Sequence, residues 1–417
     1  MEYGKREMEL LQKLNFIRPC GTEEEKRAAQ ILLEEAQAIG AEARIESFEV
    51  DHWTIHKESL VSDGREWEVK GYGLSGSTPE EGITAPFAYV QEAAEVDLLD
   101  AKGKIVMMNG RIYGEDYAKL VKAGAVGFIT FQGNIVDKKE ETDLNYMNLF
   151  DWNLKAGKIP GVHMRTSDAL ELVNSKPETV TLTLIQDEGK TSCQNVVADL
   201  PGTDPRDQSI VYGAHYDSVP FSHGMYDNGA GSVIIMELLR HFKANPPKRN
   251  MRFCWFGGEE RGLLGSHAYV KAHEEEMKDI SLMINVDVAG PVLGRDVAMC
   301  TSEDCLRVAT DYMAKEVGFP LKVTQDIYSS DSIPFADKGV PGINFCRFGA
   351  QGAANIHNRH DVLEPLDGEN LDKTTRFILA FSERMANAVV FPVPHSIPKN
   401  IVEKVDKYLK KDDKEKK

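Results

Sequence analysis

The stretch SIVYGAHYDS (209–218) decides the fold, because it is an apolar run that ends in polar side chains. Three more apolar runs follow it in the chain, namely MRFCWFG (251–257), LMINVDV (282–288) and VPGINFC (340–346). Helix candidates begin near residues 228, 263, 303 and 369. Apolar strands that alternate with helices are typical of a mostly parallel sheet covered on both faces. We therefore predict an α/β fold from about residue 195 onward.

The beginning and the middle of the chain show other patterns. Residues 23–39 are a predicted helix with Thr22 and Glu25 as a capping box, and residues 43–50 alternate like a half-buried strand. From about 55 to 190 short strand-like pieces and turns appear, with one β-α-β stretch at 103–131. These changes predict an α/β domain of residues 1–55 and 192–395, a smaller β-rich inserted domain of 56–191, and a C-terminal tail of 396–417.

Bulk properties exclude several classes of partner. The 417 residues carry a net charge of −17, which argues against nucleic acid or an anionic membrane as a partner. No apolar run approaches the roughly 20 residues that span a bilayer, and the start lacks the apolar region of a secretory signal. We predict a cytoplasmic protein, and we leave monomer and homo-oligomer open as alternatives. The six cysteines are scattered without a CxxC pair, which disfavours a thiolate zinc site.

Metal-type side chains occur at the ends of the predicted strands and in the phrases between them. Two imidazoles and three carboxylates suit a pair of cations such as Zn²⁺. The five candidates are His215, Asp227, Glu260, Asp287 and His357. Ligands of parallel sheets gather outside the carboxyl ends of the strands, where several of these residues fall. The pattern predicts a hydrolase with two metal ions.

Neighbouring carboxylates add to this pattern. Asp217 stands two residues after His215 and could orient its ring by a hydrogen bond, although HYDS could also be a simple polar strand end. Asp227 alone would be read as a helix N-cap; as a ligand it would bridge two cations. Glu259 adjoins Glu260 in a glycine turn, and it is the candidate general base.

The phrases GAHYDSV, YDNGAG, GGEERGLLGS, NVDVAG and IHNRHD resemble the di-zinc aminopeptidase family, whose relatives include glutamate carboxypeptidase, glutaminyl cyclases and the transferrin receptor. The resemblance covers about 1–55 and 195–392. It implies one zinc ion on His215, Asp227 and Asp287. It implies a second zinc ion on Asp227, Glu260 and His357, with Glu259 as general base. It also implies a cis peptide bond after Asp227, and residues 103–131 resemble a protease-associated domain.

The resemblance implies peptide substrates and, first of all, an aminopeptidase. A carboxypeptidase or dipeptidase is the main alternative, because Arg347 and Arg359 could bind a substrate carboxylate. A glutaminyl cyclase and a non-catalytic binding protein are further alternatives. Two positions depart from the family pattern and concern the substrate pocket: Ser332 replaces a histidine after SD, and Ile356 replaces an aromatic residue before the last metal histidine.

Overall fold

A computed structural model describes residues 2–110, 112, 114–204 and 208–411. The helices are α1 Glu2–Lys13, α2 Glu23–Ala38, α3 Gly114–Ala123, α4 Asp151–Leu154, α5 Thr166–Ser175, α6 Ala230–Ala244, α7 Leu264–Ala272, α8 Asp304–Val317, α9 Ser332–Asp337, α10 Gly368–Asn387 and α11 Lys399–Tyr408. The strands are β1 Glu42–Ser62, β2 Arg65–Trp67, β3 Lys70–Gly73, β4 Ile83–Tyr89, β5 Ile105–Met107, β6 Gly127–Gln132, β7 Met147–Asn148, β8 Gly161–Arg165, β9 Thr179–Leu200, β10 Ser209–His215, β11 Asn250–Phe256, β12 Ile280–Val286, β13 Gly294–Thr301, β14 Leu321–Gln325 and β15 Gly342–Gly349. The chain forms two compact units, the first of Met1–Val50 with Ser192–Lys417 and the second of Asp51–Thr191.

The first unit contains a mostly parallel sheet with the strand order β14-β13-β15-β12-β10-β11-β9. Strands β11, β10, β12 and β15 run parallel to one another, whereas β13 runs antiparallel to β15 and β9 antiparallel to β11. The register pairs His215 with Phe256 and Gly213 with Asn285. The carboxyl ends of β10, β11 and β12 therefore lie side by side, which confirms the predicted fold class.

Helices cover both faces of this sheet because side chains alternate along each strand. Ile210 and Tyr212 of β10 belong to a large apolar core that also contains buried residues of α1, α2, α6, α8 and α10. Val211 belongs to a second core, together with Tyr269 of α7 and Phe335 of α9. One strand thus contributes to two cores, as the continuous apolar run predicted.

Helix α2 begins as predicted, but the predicted capping box is only half present. The Thr22 hydroxyl accepts a hydrogen bond from the Glu25 backbone N–H at 3.2 Å. The Glu25 carboxylate is buried, and it accepts hydrogen bonds from the Tyr216 hydroxyl and from the Gln194 backbone N–H. The capping partner assigned to Glu25 is therefore wrong, because a buried tertiary partner takes its place.

The C-terminal region contains a packed helix where we expected a tail. Ile401 and Val405 of α11 are buried in one apolar cluster with Leu263, Ile333 and Ala336. Their i, i+4 spacing places both side chains on one helical face. This part of the expected tail is consequently docked, while residues 412–417 lie outside the described residues.

The second unit contains a row of mostly parallel strands and its own apolar cores. Strands β4, β5, β6 and β8 are parallel neighbours, and β3 runs antiparallel to β8. The predicted β-α-β stretch forms β5, α3 and β6, with Ile105, Met107 and Ile129 buried in one core. None of the helices in the described part of the chain combines the length and the apolar character that crossing a membrane requires.

Candidate metal centre

Strand β10 delivers the first imidazole to the sheet edge. His215 is its last residue, and its side chain is 1% exposed. An Asp217 carboxylate oxygen lies 3.5 Å from His215 Nδ1 and accepts a hydrogen bond from the Glu259 backbone N–H at 3.1 Å. Asp217 therefore lies behind the ring, on the side away from the other candidate ligands, where an orienting carboxylate belongs.

Asp227 lies in a bend that precedes α6, and its peptide bond to Asn228 is cis, as the family resemblance implied. The buried Asn228 amide donates to the Val286 carbonyl at 2.8 Å, and its oxygen accepts from the Gly231 backbone N–H at 2.9 Å. A Cβ atom at Gly231 would lie 2.4 Å from that same Val286 carbonyl oxygen. This close approach ties the Asp227 bend to the last residue of β12, directly before Asp287.

A second carboxylate fixes the backbone of the same bend. Asp361 is buried, and its two carboxylate oxygens accept hydrogen bonds from the Tyr226 N–H at 2.7 Å and the Asp227 N–H at 3.1 Å. Asp361 follows His357 by four residues in one loop. That loop therefore supplies both a candidate ligand and the group that holds Asp227.

The two adjacent glutamates lie in a short turn directly after β11. Glu259–Arg261 form one 3₁₀ turn between Gly258, with φ of 75°, and Gly262, with φ of 102°. Both glycines adopt left-handed backbone conformations that other residues rarely adopt. A Cβ atom at position 258 would also lie 2.9 Å from Cys20 Sγ. The glycines thus permit the sharp turn that separates the two neighbouring carboxylates.

Candidate ligand atoms form two groups that share Asp227. His215 Nε2 lies 3.0 Å from Asp227 Oδ1 and 3.6 Å from Asp287 Oδ1. His357 Nε2 lies 3.2 Å from Asp227 Oδ2 and 3.1 Å from Glu260 Oε2. Two ligands about 2.0–2.2 Å from a tetrahedral zinc ion would be about 3.3–3.6 Å apart. The donor types suit two zinc ions, and the shortest observed spacing, 3.0 Å, is only slightly below this range. One oxygen of Asp227 is directed to each group.

Glu259 lies beside these groups without belonging to either. Its Oε2 atom is 3.8 Å from His215 Nε2, and its side chain is 13% exposed. Burial raises the pKa of Glu259 well above its usual value; His215 opposes this shift, and nearby Glu260 adds to it. A carboxylate in this position can accept a proton next to the candidate metal ions.

Burial and mutual repulsion shift the pKa values of the carboxyl groups in this site. Burial raises the pKa of Glu260 to about 7, and the charge of Asp227 adds to this shift. Burial also raises the pKa of Asp287. Asp227 is the exception, because hydrogen bonds with His215 and His357 outweigh burial and lower its pKa. Bound cations would relieve the mutual repulsion of these carboxylates.

Sequence reasoning missed two residues of this region. Asp331 is fully buried; burial raises its pKa to about 7, and the charges of Asp287 and Asp217 add to the shift. Burial and then the charge of Asp287 raise the pKa of Tyr328. Asp331 lies in the phrase SSDS (329–332), in which only Ser332 was singled out from the sequence. Ser332 itself is buried and accepts a hydrogen bond from the Asn344 amide at 2.9 Å.

Other singled-out residues lie in different surroundings. The Arg347 guanidinium pairs with Asp296 at 2.6 Å and donates to the Pro291 carbonyl at 2.8 Å, which argues against a substrate role for Arg347. His360 is exposed, whereas His357 belongs to the second ligand group. Ile356 is 42% exposed directly before His357.

Comparisons with known proteins show what the chain as a whole is similar to. Residues 195–382 match the model of Peptidase family M28. Aminopeptidase YwaD of Bacillus subtilis (strain 168) is 29% identical over 380 residues, which cover 87% of this chain and 80% of that protein. Carboxypeptidase Q of Homo sapiens is 25% identical over 370 residues, with 82% and 77% covered. The structure of BSAP, a zinc aminopeptidase from Bacillus subtilis, matches with a TM-score of 0.78 and 25% identity over 95% of this chain and 98% of that chain.

Proposed function

We propose, from the match of residues 195–382 to the model of Peptidase family M28, that the protein is a zinc-dependent aminopeptidase that removes the N-terminal residue of peptides. The observation that carries the proposal is the pair of ligand groups that share Asp227, with Glu259 beside them. His215, Asp227 and Asp287 would hold one zinc ion. Asp227, Glu260 and His357 would hold the other.

Residues of the chain itself transfer the proton and hold the candidate ligands in position. A bound zinc pair would supply a Lewis acid and lower the pKa of a water molecule. Glu259 accepts the proton of the attacking water and delivers it to the leaving amine. Asp217 faces His215 Nδ1 at 3.5 Å and accepts the backbone N–H of Glu259, so one carboxylate lies next to both the ligand and the base segment. Asp361 holds the backbone of Asp227.

The charge balance favours an amine over a carboxylate as the substrate group nearest the metals. Two divalent cations would neutralise only about four of the carboxyl groups that meet here. These groups belong to Asp217, Asp227, Glu259, Glu260, Asp287 and Asp331. The excess negative charge suits the α-ammonium group of a peptide. Arg347, the cation suggested for a carboxypeptidase, is occupied by Asp296.

Three measurements test the proposal. Metal analysis should give close to two zinc ions per chain, and saturation at one would refute the paired site. Glu259→Gln should retain the metal and lose about 10²–10⁴-fold in rate. N-acetylation of a cleaved peptide should abolish its cleavage; unchanged cleavage would favour a carboxypeptidase instead.

For the second unit we propose a domain of the protease-associated type, on the basis of its β5-α3-β6 arrangement. Cleavage of peptides of increasing length can be compared between the intact chain and a variant in which a short linker replaces Asp51–Thr191. The comparison tests whether this unit limits the cleavage of long peptides. A cytoplasmic location and homo-oligomerisation stay predictions.

A further inference from the structure

Two cysteines lie directly behind the turn that carries the proposed base. Cys20 follows α1 and Cys193 belongs to β9, yet both are buried free thiols in one small apolar cluster. A Cβ atom at Gly258 would lie 2.9 Å from the Cys20 sulfur and 3.6 Å from the Cys193 sulfur. A side-chain hydrogen bond joins the two thiols. Two cysteines that are distant in sequence therefore meet as neighbours at this turn.

Both sulfur atoms are tightly packed against the segment around the turn. A Cβ atom at Gly257 would lie 2.8 Å from the Cys193 sulfur, closer than real Cβ contacts come. At the other end of the turn, the Arg261 guanidinium donates to the Cys20 sulfur at 4.0 Å. Movement of either sulfur would therefore be transmitted to the backbone that carries Glu259.

A disulfide between these cysteines would have to move the turn. Its two sulfurs would be about 2.05 Å apart, which is well inside the contact distance of two thiols. Because packed interiors transmit strain, the closing motion would displace the segment after Gly258. A misplacement of about 1 Å at a catalytic group can cost about 100-fold in rate.

We propose that Cys20 and Cys193 are a redox-sensitive pair that peroxide oxidises to a disulfide, and that this disulfide lowers activity by displacing the turn of Glu259 and Glu260. Formation of the disulfide does not depend on the proposed peptidase function; only its effect on cleavage does. The candidate zinc ligands are imidazoles and carboxylates, so mild oxidation leaves them intact and acts on the thiols.

The two thiols react in a fixed order. Cys20 reacts first, because it is 7% exposed whereas Cys193 is fully buried. The Cys20 sulfur attacks one peroxide oxygen, the O–O bond breaks, and a sulfenic acid and one water molecule form. The Cys193 sulfur then attacks the Cys20 sulfur, the S–O bond breaks, and the hydroxyl group leaves with the Cys193 proton as a second water molecule. Burial raises the pKa of Cys193 well above its usual value, and the contact with Cys20 adds to the shift, which suits the thiol that reacts second.

The test treats the full-length, zinc-loaded protein with hydrogen peroxide, removes the peroxide with catalase, and then reduces half of the sample with a phosphine. The parent protein carries Cys305→Ser, because Cys305 is exposed and would otherwise link two chains. Peptide mapping by mass spectrometry should find Cys20 joined to Cys193. Cleavage of leucine 4-nitroanilide should fall about 10–100-fold in the oxidised protein, and the phosphine should restore it.

Matched cysteine variants separate this pair from other sites of oxidation. Cys20→Ser keeps the size of the side chain but removes the thiol that reacts first, so its activity should stay within twofold after peroxide treatment. Cys193→Ala removes the second thiol and should abolish the linkage, which keeps the test intact if one variant does not fold. Cys300→Ala removes another buried thiol, on β13, and should be as sensitive as the parent.

Zinc affinity supplies a readout that does not depend on cleavage. Competition with a chromogenic chelator should show that the linked protein binds zinc about tenfold more weakly, since Glu260 lies in the displaced turn. The proposal is overturned if peroxide produces no linkage, if the linked protein keeps both activity and zinc affinity within twofold, or if Cys20→Ser is inactivated like the parent. If the parent does not cleave the nitroanilide before oxidation, the aminopeptidase function itself fails, and the linkage and the zinc affinity still decide whether the pair is a switch.

Discussion

Replacement of Asp361 by asparagine should weaken metal binding although Asp361 is not a candidate ligand. Its two oxygens accept the N–H groups of Tyr226 and Asp227 at 2.7 and 3.1 Å, and the residue is 1% exposed. Asparagine keeps one acceptor and turns an NH₂ group toward the other N–H. The loss of one hydrogen bond to a charged group costs about 1.5–3 kcal/mol. If this free energy is lost from the conformation in which Asp227 can bind zinc, the affinity for zinc should fall about 10–100-fold.

The assay is competition for zinc with a chromogenic chelator, followed by activity as a function of free zinc. Asp361→Asn should regain most of its rate at high zinc, because the base and the ligands remain. Asp372→Asn is the control: Asp372 is 5% exposed and pairs with Arg376 on α10, so its loss should reduce stability without changing zinc affinity. The reasoning is refuted if both variants bind zinc within twofold of wild type.

Three other predictions concern packing, pH and metal removal. Gly231→Ala should reduce both the unfolding temperature and activity, because its Cβ atom would lie 2.4 Å from the Val286 carbonyl oxygen; differential scanning calorimetry and rate measurements check this. Burial raises the pKa of Glu7 from 4.5 to about 8, while its hydrogen bond with Thr375 opposes the shift. The folded state therefore holds this proton more tightly, and its contribution to stability is lost as pH rises from about 4.5 through about 8. Glu7→Gln should unfold at a higher temperature than wild type at pH 9, with the difference gone near pH 4; the opposite order would contradict the assignment. Chelation should lower the unfolding temperature and added zinc should restore it, since a ligand at 100 times its dissociation constant contributes about 2.7 kcal/mol.

Much of the first unit could be predicted from the sequence because its strands are continuous apolar runs. The residues that follow SIVYGA and LMINV are polar at the points where parallel strands end. Sequence spacing could not by itself bring His357 to the same place, since it lies in a loop with positive φ at that residue. The family resemblance supplied that step, and the structure places His357 Nε2 3.2 Å from Asp227.

The remaining features depend on partners distant in sequence. Glu25 has the spacing of a capping residue, but its carboxylate accepts a hydrogen bond from Tyr216, which lies 191 positions away in the sequence. Arg347 stands near the metal phrases, but Asp296 on a neighbouring strand neutralises it. Helix α11 was not predicted from the sequence, because many of the residues around it are charged. Its two buried residues, four positions apart, are a weak signal for a helix. In each case a tertiary contact outweighed the local pattern.

The two imidazoles of the centre show how the sequence carries more of such a site than its ligands alone. Each is followed within four residues by a buried carboxylate that supports the site, Asp217 after His215 and Asp361 after His357. Asp217 faces the histidine of its own phrase, whereas Asp361 holds the backbone of Asp227, the ligand that both groups share. The loop of His357 is therefore coupled to the shared ligand by a hydrogen bond, and a zinc ion held by His357 and Asp227 would couple them a second time. Displacement of that loop should disturb both metal positions at once, since Asp227 belongs to both groups.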